Sequence, residues 1–320
     1  MSDVALLEPT SIPAATELAL RNLRTIIDRP GAFSSRDLRE TLAPFLQARI
    51  ERGRAIGVYQ TDGSLAGYAA FDQFSFHGEQ AAFLPVLGFG VADDKAADLC
   101  ERLYTALSAR WISAGIRKHL ISISPDHREV ERRLHELGFG RYVVVALRDL
   151  ASAPPLPLLP IDTTIRTATA PDVPALAALC DESVDWYAAA PIFLRFESIP
   201  PEKLTELVDG PGSAIFVAED RHGLAGFIGI SMVREPRTFD CVQTGAATLD
   251  GIGAYLTERA RRRGIGTHLL SACDDWSRER GCAAIHVDYE SANPAARSFW
   301  PKYFQRSIYS LMRTLHADSG

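Results

Sequence analysis

Four arginines, Arg259, Arg261, Arg262 and Arg263, stand just before Gly264-Ile265-Gly266-Thr267. From Gly266 the apolar spacing turns helical, with Leu269, Leu270, Cys273 and Trp276 on one face. A helix N-terminus carries partial positive charge and unpaired N–H groups, so it favours Asp or Glu. Arginine there costs a few tenths to about 1 kcal/mol per charge unless an anion shares the spot. Glycine lets the backbone approach such an anion closely. The segment therefore reads as a phosphate-binding site. A P-loop is excluded, because no Gly-Lys-Ser/Thr follows. Gly251-Ile252-Gly253 begins a dinucleotide fingerprint but has Leu256 at the third glycine position, which makes that reading weak.

The elements that must hold this segment can be read on either side of it. An apolar strand from about Ala247 to Leu256 leads in, and the helix runs from Gly266 to Arg280 with Gly281 as a C-cap. A strand Ala284–Tyr289 follows, then a short helix opened by Asn293-Pro294 that lasts through Trp300, then a strand pair over 306–315. Upstream lie a strand at 165–168, a helix opened by Pro171-Asp172-Val173-Pro174, and a hairpin over 214–232. Trp186, Tyr187 and Phe193 line an acceptor pocket or pack as core aromatics.

Ala151–Pro160 holds four prolines and can form neither helix nor central strand, so it reads as an extended connector. The halves it separates echo each other. Val58–Tyr68 aligns with Val217–Phe227 at an offset of 224 − 65 = 159, and both read as hairpins turning at Asp62-Gly63 or His222-Gly223. The first half repeats the order with helix 16–27, the hairpin, strand 82–91, helix 97–115, strand 119–124, helix 129–137 and strand 142–147. Two domains are expected, at 1–150 and 163–320, with a linker at 151–162. Each is a mixed α/β (α+β) fold around a mostly antiparallel sheet flanked by helices.

With 47% hydrophobic and 23% charged residues the composition is that of a soluble globular protein. A net charge of −6 disfavours a dedicated nucleic-acid binder, so the local arginine cluster suits a small anionic ligand better than a polymer. Cys100, Cys180, Cys241, Cys273 and Cys282 lack the spacing of a zinc site or a disulfide framework, and no metal is expected. No apolar run reaches the ~18 residues of a membrane span, and the acidic N-terminus does not read as a signal peptide. A cytoplasmic location is the expectation.

Arg261-Arg262-Arg263-Gly264-Ile265-Gly266 and Asn293-Pro294-Ala295-Ala296-Arg297-Ser298-Phe299-Trp300 together resemble two signatures of the GNAT N-acetyltransferase superfamily. The resemblance covers about residues 163–316, and the first half resembles a diverged copy, as in tandem two-domain members. It implies acetyl-CoA as co-substrate, with the pyrophosphate on the backbone of Arg262, Arg263, Gly264, Ile265, Gly266 and Thr267. It implies that Arg261, Arg262 or Arg263 pairs with phosphate oxygens, and that pantetheine pairs like an added strand near Tyr255 and Leu256. Asn293 and Trp300 belong to the same implied cofactor site. In the first half the matching loop reads Ala92-Asp93-Asp94-Lys95, without glycines and with acids that would repel a pyrophosphate. That half is expected not to bind CoA productively.

Transfer to an amine requires a neutral nucleophile and therefore a base or a water chain. Strand periodicity puts His286, Asp288 and Glu290 on one face, while Asp250 and Glu258 flank the preceding strand. Any of these acids can orient or deprotonate an amine, or serve as ordinary surface charge. The family tyrosine that protonates the departing thiolate would fall at Trp300, which has no proton to give. Tyr303, one turn on, can substitute or can be a core aromatic. The leading expectation is an acetyl-CoA-dependent N-acetyltransferase acting through direct attack by a primary amine of a small molecule or peptide, with the C-terminal domain active. Asp288, Glu290, Asp250 and Tyr303 are its catalytic candidates. The alternative is a non-enzymatic acyl-CoA-binding regulator. No nucleic-acid or membrane partner is expected, and the sequence leaves the oligomeric state and the acceptor open.

Overall fold

The computed structural model describes residues 3–76 and 78–315. Contacts divide these into two units, one of residues 3–145, 237–241 and 306–315, the other of 146–236 and 242–305. The chain from the first residue described runs β1 (Asp3–Leu6), α1 (Ile12–Asn22), α2 (Ser35–Glu51), β2 (Ala55–Tyr59), β3 (Leu65–Ala70), β4 (Asp72–Phe76), β5 (Glu79–Leu84), β6 (Phe89–Val91), α3 (Ala96–Ser113), β7 (Lys118–Ile123), α4 (Arg128–Glu136) and β8 (Gly140–Asp149). Strands β1, β2, β3 and β6 form one antiparallel ladder, while β4 pairs antiparallel with β5, which runs parallel to β7. Leu18, Leu38, Leu42, Leu46 and Tyr68 meet in this unit's core.

Helix α2 is not in the order read from the sequence. Pro44 lies inside it, where proline removes a hydrogen bond and usually ends a helix. Its start is nevertheless well formed. The Asp37 N–H donates to the Ser34 hydroxyl (3.1 Å) and the Ser34 N–H donates to the Asp37 carboxylate (2.9 Å), a reciprocal cap. Helix α1 begins earlier than expected, with proline in its first turn, and ends at Asn22 rather than at residue 27.

The second unit adds β9 (Thr164–Thr167), α5 (Val173–Ala188), α6 (Pro201–Asp209), β10 (Ser213–Asp220), β11 (Gly223–Met232), β12 (Ala247–Thr248), β13 (Ala254–Leu256), α7 (Ile265–Glu279), β14 (Ala284–Glu290) and α8 (Pro294–Phe299). Its strands lie in the order β9, β10, β11, β12, β14, with β13 also on β11; β12 and β14 pair parallel, and the other pairs named here are antiparallel. Both units are thus mixed α/β with mostly antiparallel pairing. The echo between the hairpins holds on the second strand, where Gly67 matches Gly226 (226 − 67 = 159). It slips by one residue in the turn, where Gly63 and Gly223 (223 − 63 = 160) both take positive φ, 81° and 99°.

The last strand, β15 (Gln305–Thr314), is one strand rather than a pair. Its residues 309–314 bond antiparallel to β7, so they belong with the first unit. A contiguous domain from 163 to 320 does not anticipate this, because a long-range pairing leaves no local pattern. The proline-rich stretch 151–162 belongs with the second unit and runs without a strand ladder.

A buried ion pair fixes α7. Arg148 is 2% exposed, and its Nε and Nη2 donate to the two Asp274 oxygens (2.9 and 2.8 Å), while Nη1 donates to the Tyr303 carbonyl (3.2 Å) and Nη2 also to the Pro154 carbonyl (3.2 Å). A guanidinium with its donors spent in this way tolerates burial, and removing Asp274 would leave an uncompensated charge.

Candidate functional site

The expected strand 247–256 is broken, and the break makes the site. Thr248 pairs with His286 on β14 and Ser231 on β11, but β13 pairs with β11 alone. The Gly229 N–H donates to the Gly253 carbonyl (2.9 Å) and the Thr257 N–H to the Ala225 carbonyl (2.9 Å). Alternation along an antiparallel pair then turns the backbone of 253, 255 and 257 toward β11, and that of Ala254 and Leu256 away from it. The Leu256 carbonyl accepts Arg261 Nε (2.9 Å). The Ala254 groups and the Leu256 N–H have no ladder partner among the described residues. They open on a cavity of about 1110 Å³ within this unit, bounded also by α5, β14 and α8. Gly226 permits the close approach of β13, since a Cβ there would sit 2.6 Å from the Tyr255 carbonyl oxygen.

The arginine-rich turn borders the same cavity through Arg261, Arg262 and Gly266. Arg262 and Gly264 both take positive φ, 60° and 82°, and no side chain caps α7. Among the described residues the N–H groups of Arg262, Arg263, Gly264, Ile265 and Gly266 have no acceptor. Five consecutive donors at a helix start form an anion cradle. The guanidiniums are less available than the sequence implies. Arg259 is held by Asp220 (3.2 Å), Arg263 by Asp162 (2.5 Å), and Arg261 lies 3.7 Å over the Trp186 ring.

The cavity is also lined by Asp250, Asp288 and Glu290, and by Glu197 and Glu258. Asp288 is exposed; Asp250 Oδ1 lies 3.3 Å from His286 Nδ1, which also meets the Thr248 hydroxyl at 3.0 Å. His286 is buried on β14 rather than facing the cavity. Burial raises the Glu290 carboxyl above its ordinary range, offset in part by its backbone N–H and by Tyr187. Tyr187 is raised as well, first by burial and then by Glu290. Tyr255 is pushed up to about 12 by burial and by Glu182, whose carboxylate accepts its hydroxyl (2.9 Å). Asn293 caps α8, accepting the N–H groups of Ala295 (3.1 Å) and Ala296 (3.2 Å).

Residues 180–304 match the acetyltransferase (GNAT) family model. This region is a GNAT domain. An aminoglycoside N(6′)-acetyltransferase type 1 of Klebsiella aerogenes is 36% identical to the chain over 84 residues, 26% of this chain and 52% of that protein. The chain thus spans about half the length of this curated relative. A protein of the same name from Serratia marcescens is 25% identical over 122 residues, covering 37% of this chain and 82% of its own. A GCN5-related N-acetyltransferase from Sphaerobacter thermophilus has a TM-score of 0.59 at 14% identity, covering 99% of this chain and 96% of that one, a likeness of fold.

Of the residues singled out from the sequence, Tyr255, Leu256, Arg261, Arg262, Gly266, Asn293 and Trp300 line the GNAT domain's cavity together with Asp250, Asp288 and Glu290. Arg263, Gly264, Ile265 and Thr267 shape the turn without lining it. Tyr303 lies outside the lining, and its hydroxyl is 3.1 Å from that of Thr267. Phe193 is an exposed residue, also outside the lining. Sequence reasoning missed Ala254, which strand parity reveals once the partner strand is known. It also missed Lys302, Glu182, and the 196–199 stretch, whose irregular backbone leaves no periodic signal.

Proposed function

We propose that the GNAT domain transfers an acyl group, acetyl in the simplest case, from CoA to a primary amine. One observation carries the reading: the free edge of β13 and the two ends of the free N–H row, Arg262 and Gly266, line one cavity. The row suits a pyrophosphate, and the edge suits the peptide-like amides of pantetheine. The acyl thioester then lies between β13 and β14, beside the acids. The amine nitrogen bonds to the thioester carbonyl carbon, the C–S bond breaks, and CoA leaves as thiolate. Glu290, raised by burial toward a useful basicity, takes the amine proton. Asp250 and Asp288 attract the cationic acceptor. Tyr303 acts here by holding the first turn of α7 through Thr267, and the thiolate acquires its proton from solvent.

The acceptor is a cationic amine in this reading. The acids lining the cavity support it, as do the aminoglycoside acetyltransferases the chain resembles. Calorimetric titration with acetyl-CoA tests the cofactor. Saturable binding at one site per chain is expected, and no binding at millimolar ligand overturns the proposal. Release of free CoA thiol with a panel of aminoglycosides and other polyamines tests the chemistry. Binding without release from any of them would favour a non-enzymatic acyl-CoA sensor, which the tryptophan at position 300 already makes a coherent rival.

A further inference from the structure

The cations beside α7 fall into two groups. Arg259 is held by Asp220 and the Leu224 carbonyl (3.0 Å), Arg261 by the Leu256 carbonyl and the Trp186 face, and Arg263 by both oxygens of Asp162 (2.5 and 2.7 Å). Arg262 and Lys302 line the cavity and have no side-chain partner among the described residues. Among the described residues Lys302 is the only lysine that lines the cavity, and it is exposed. It stands in the 3-10 turn Trp300–Lys302, whose flanking residues on both sides meet the start of α7. The Tyr303 hydroxyl meets Thr267, and the Phe299 ring lies 3.3 Å from where a Cβ on Gly266 would be.

We propose that Lys302 binds the 3′-phosphate of the CoA nucleotide, while Arg262 and the N–H row hold the pyrophosphate. This rests on the acyl-CoA reading above. With the pyrophosphate on the cradle, the nearest cavity wall beyond the start of α7 is the 300–302 turn, since its neighbours Phe299 and Tyr303 touch Gly266 and Thr267. The pyrophosphate already has five backbone donors and one guanidinium. A phosphomonoester carries close to two charges at neutral pH and no donor of its own. A lysine suits it, because an ammonium acts as a point charge with rotatable donors and needs no planar partner. An exposed position fits a group at the far end of the ligand.

Calorimetry on the full chain with acetyl-CoA and with acetyl-dephospho-CoA, which lacks only that phosphate, is the test. For the wild type, dephospho ligand should bind about tenfold more weakly. Lys302→Met should weaken acetyl-CoA by the same factor and leave the dephospho ligand unchanged, so the two changes are not additive. Arg262→Met should weaken both ligands alike. A Lys302→Met variant that weakens both ligands equally, or neither, overturns the assignment while the acyl-CoA reading stands. Failure of the wild type to bind either ligand defeats that reading and this inference with it. An unchanged melting temperature for Lys302→Met separates lost contact from lost fold.

Discussion

Strands β6 and β13 occupy matching places in two copies of one pattern, and they differ in what meets their outer edge. Val91 pairs with Gly67 as Leu256 pairs with Gly226. The Ala92 N–H donates to the Ala66 carbonyl, so Val91 faces away from β3 as Leu256 faces away from β11. In the first unit that edge is shut. Asn22, 4% exposed, donates Nδ2 to the Val91 carbonyl (2.9 Å) and accepts the Val91 N–H at Oδ1 (2.8 Å). In the second unit the Leu256 N–H stays open. One side-chain amide, offering the donor and acceptor of a peptide, closes what a peptide-like ligand would pair with.

The turns after these strands differ in the same direction. Past β13 the backbone takes positive φ at Arg262 and Gly264, and five N–H groups are left free. Past β6 the chain makes a 3-10 turn, Asp93–Lys95, and α3 follows with Asp98 in its first turn. Those carboxylates satisfy the helix dipole without a ligand. The largest effect should come from Gly264→Val. A β-branched residue at φ 82° is strained by about 1–3 kcal/mol, and relief of that strain dismantles the cradle. Acetyl-CoA affinity should fall by about 1000-fold, whereas Asp93→Val should leave it unchanged in the same titration. Equal losses at the two positions would break the comparison.

Acid should next separate the units. His119 on β7 is fully buried, with Nδ1 3.0 Å from the Tyr104 hydroxyl and Nε2 3.2 Å from the Ile116 carbonyl. Burial, with Arg313 adding to it, lowers this imidazole to about 4. A lowered folded value means the stabilisation is present above the unfolded value of ~6.5 and is lost as pH falls through 4. The loss approaches about 3 kcal/mol at the acid end. Hydrogen exchange of the β7 amides should accelerate over that window, and His119→Gln should flatten the dependence. A pH-independent β7 would refute it.

Glu290 gives a smaller effect, in catalysis. A base works ionised, and burial has raised this carboxyl, so kcat/KM should climb with pH above the ordinary carboxylate range. Glu290→Gln should remove that limb and lower kcat/KM about 100-fold with KM for acetyl-CoA unchanged. A limb that survives in the variant assigns the base elsewhere. The first unit places Ser124-Pro125-Asp126 past β7, and Asp126 there is already bonded to Thr25.

Much of this was legible from residue types. The order of strands and helices around 247–300 follows from periodicity apart from the break between Thr248 and Ala254, and the Arg261–Gly266 segment stands out through its conflict with the helix dipole. Three features were not legible, each for a physical reason. Asn22 and Val91 meet across 69 residues of sequence, and a buried amide on α1 looks like any polar helix residue. The pairing of β15 with β7 spans far more chain. Arg263 and Arg261 read as free charges until Asp162 and the Leu256 carbonyl are placed beside them. Spacing identifies which cations approach a helix start; the partners that neutralise them come from distant segments.

The smallest effect bears most directly on the two edges. Asn22→Leu keeps the volume and apolar packing of that part of α1 but leaves the Val91 N–H and carbonyl buried without partners. Each unpaired group costs about 1–3 kcal/mol, offset in part by the added hydrocarbon, so a net loss of about 2 kcal/mol in the first unit is expected. Chemical denaturation should report it as a lower midpoint with an unchanged slope. The opened edge should still attract no acyl-CoA, because the Asp93–Lys95 turn supplies no cradle and carries the wrong charge. Calorimetric stoichiometry should therefore stay at one per chain. A rise to two would mean that the strand edge alone decides where pantetheine binds, and that Asn22, rather than the acidic turn, is what silences the first unit.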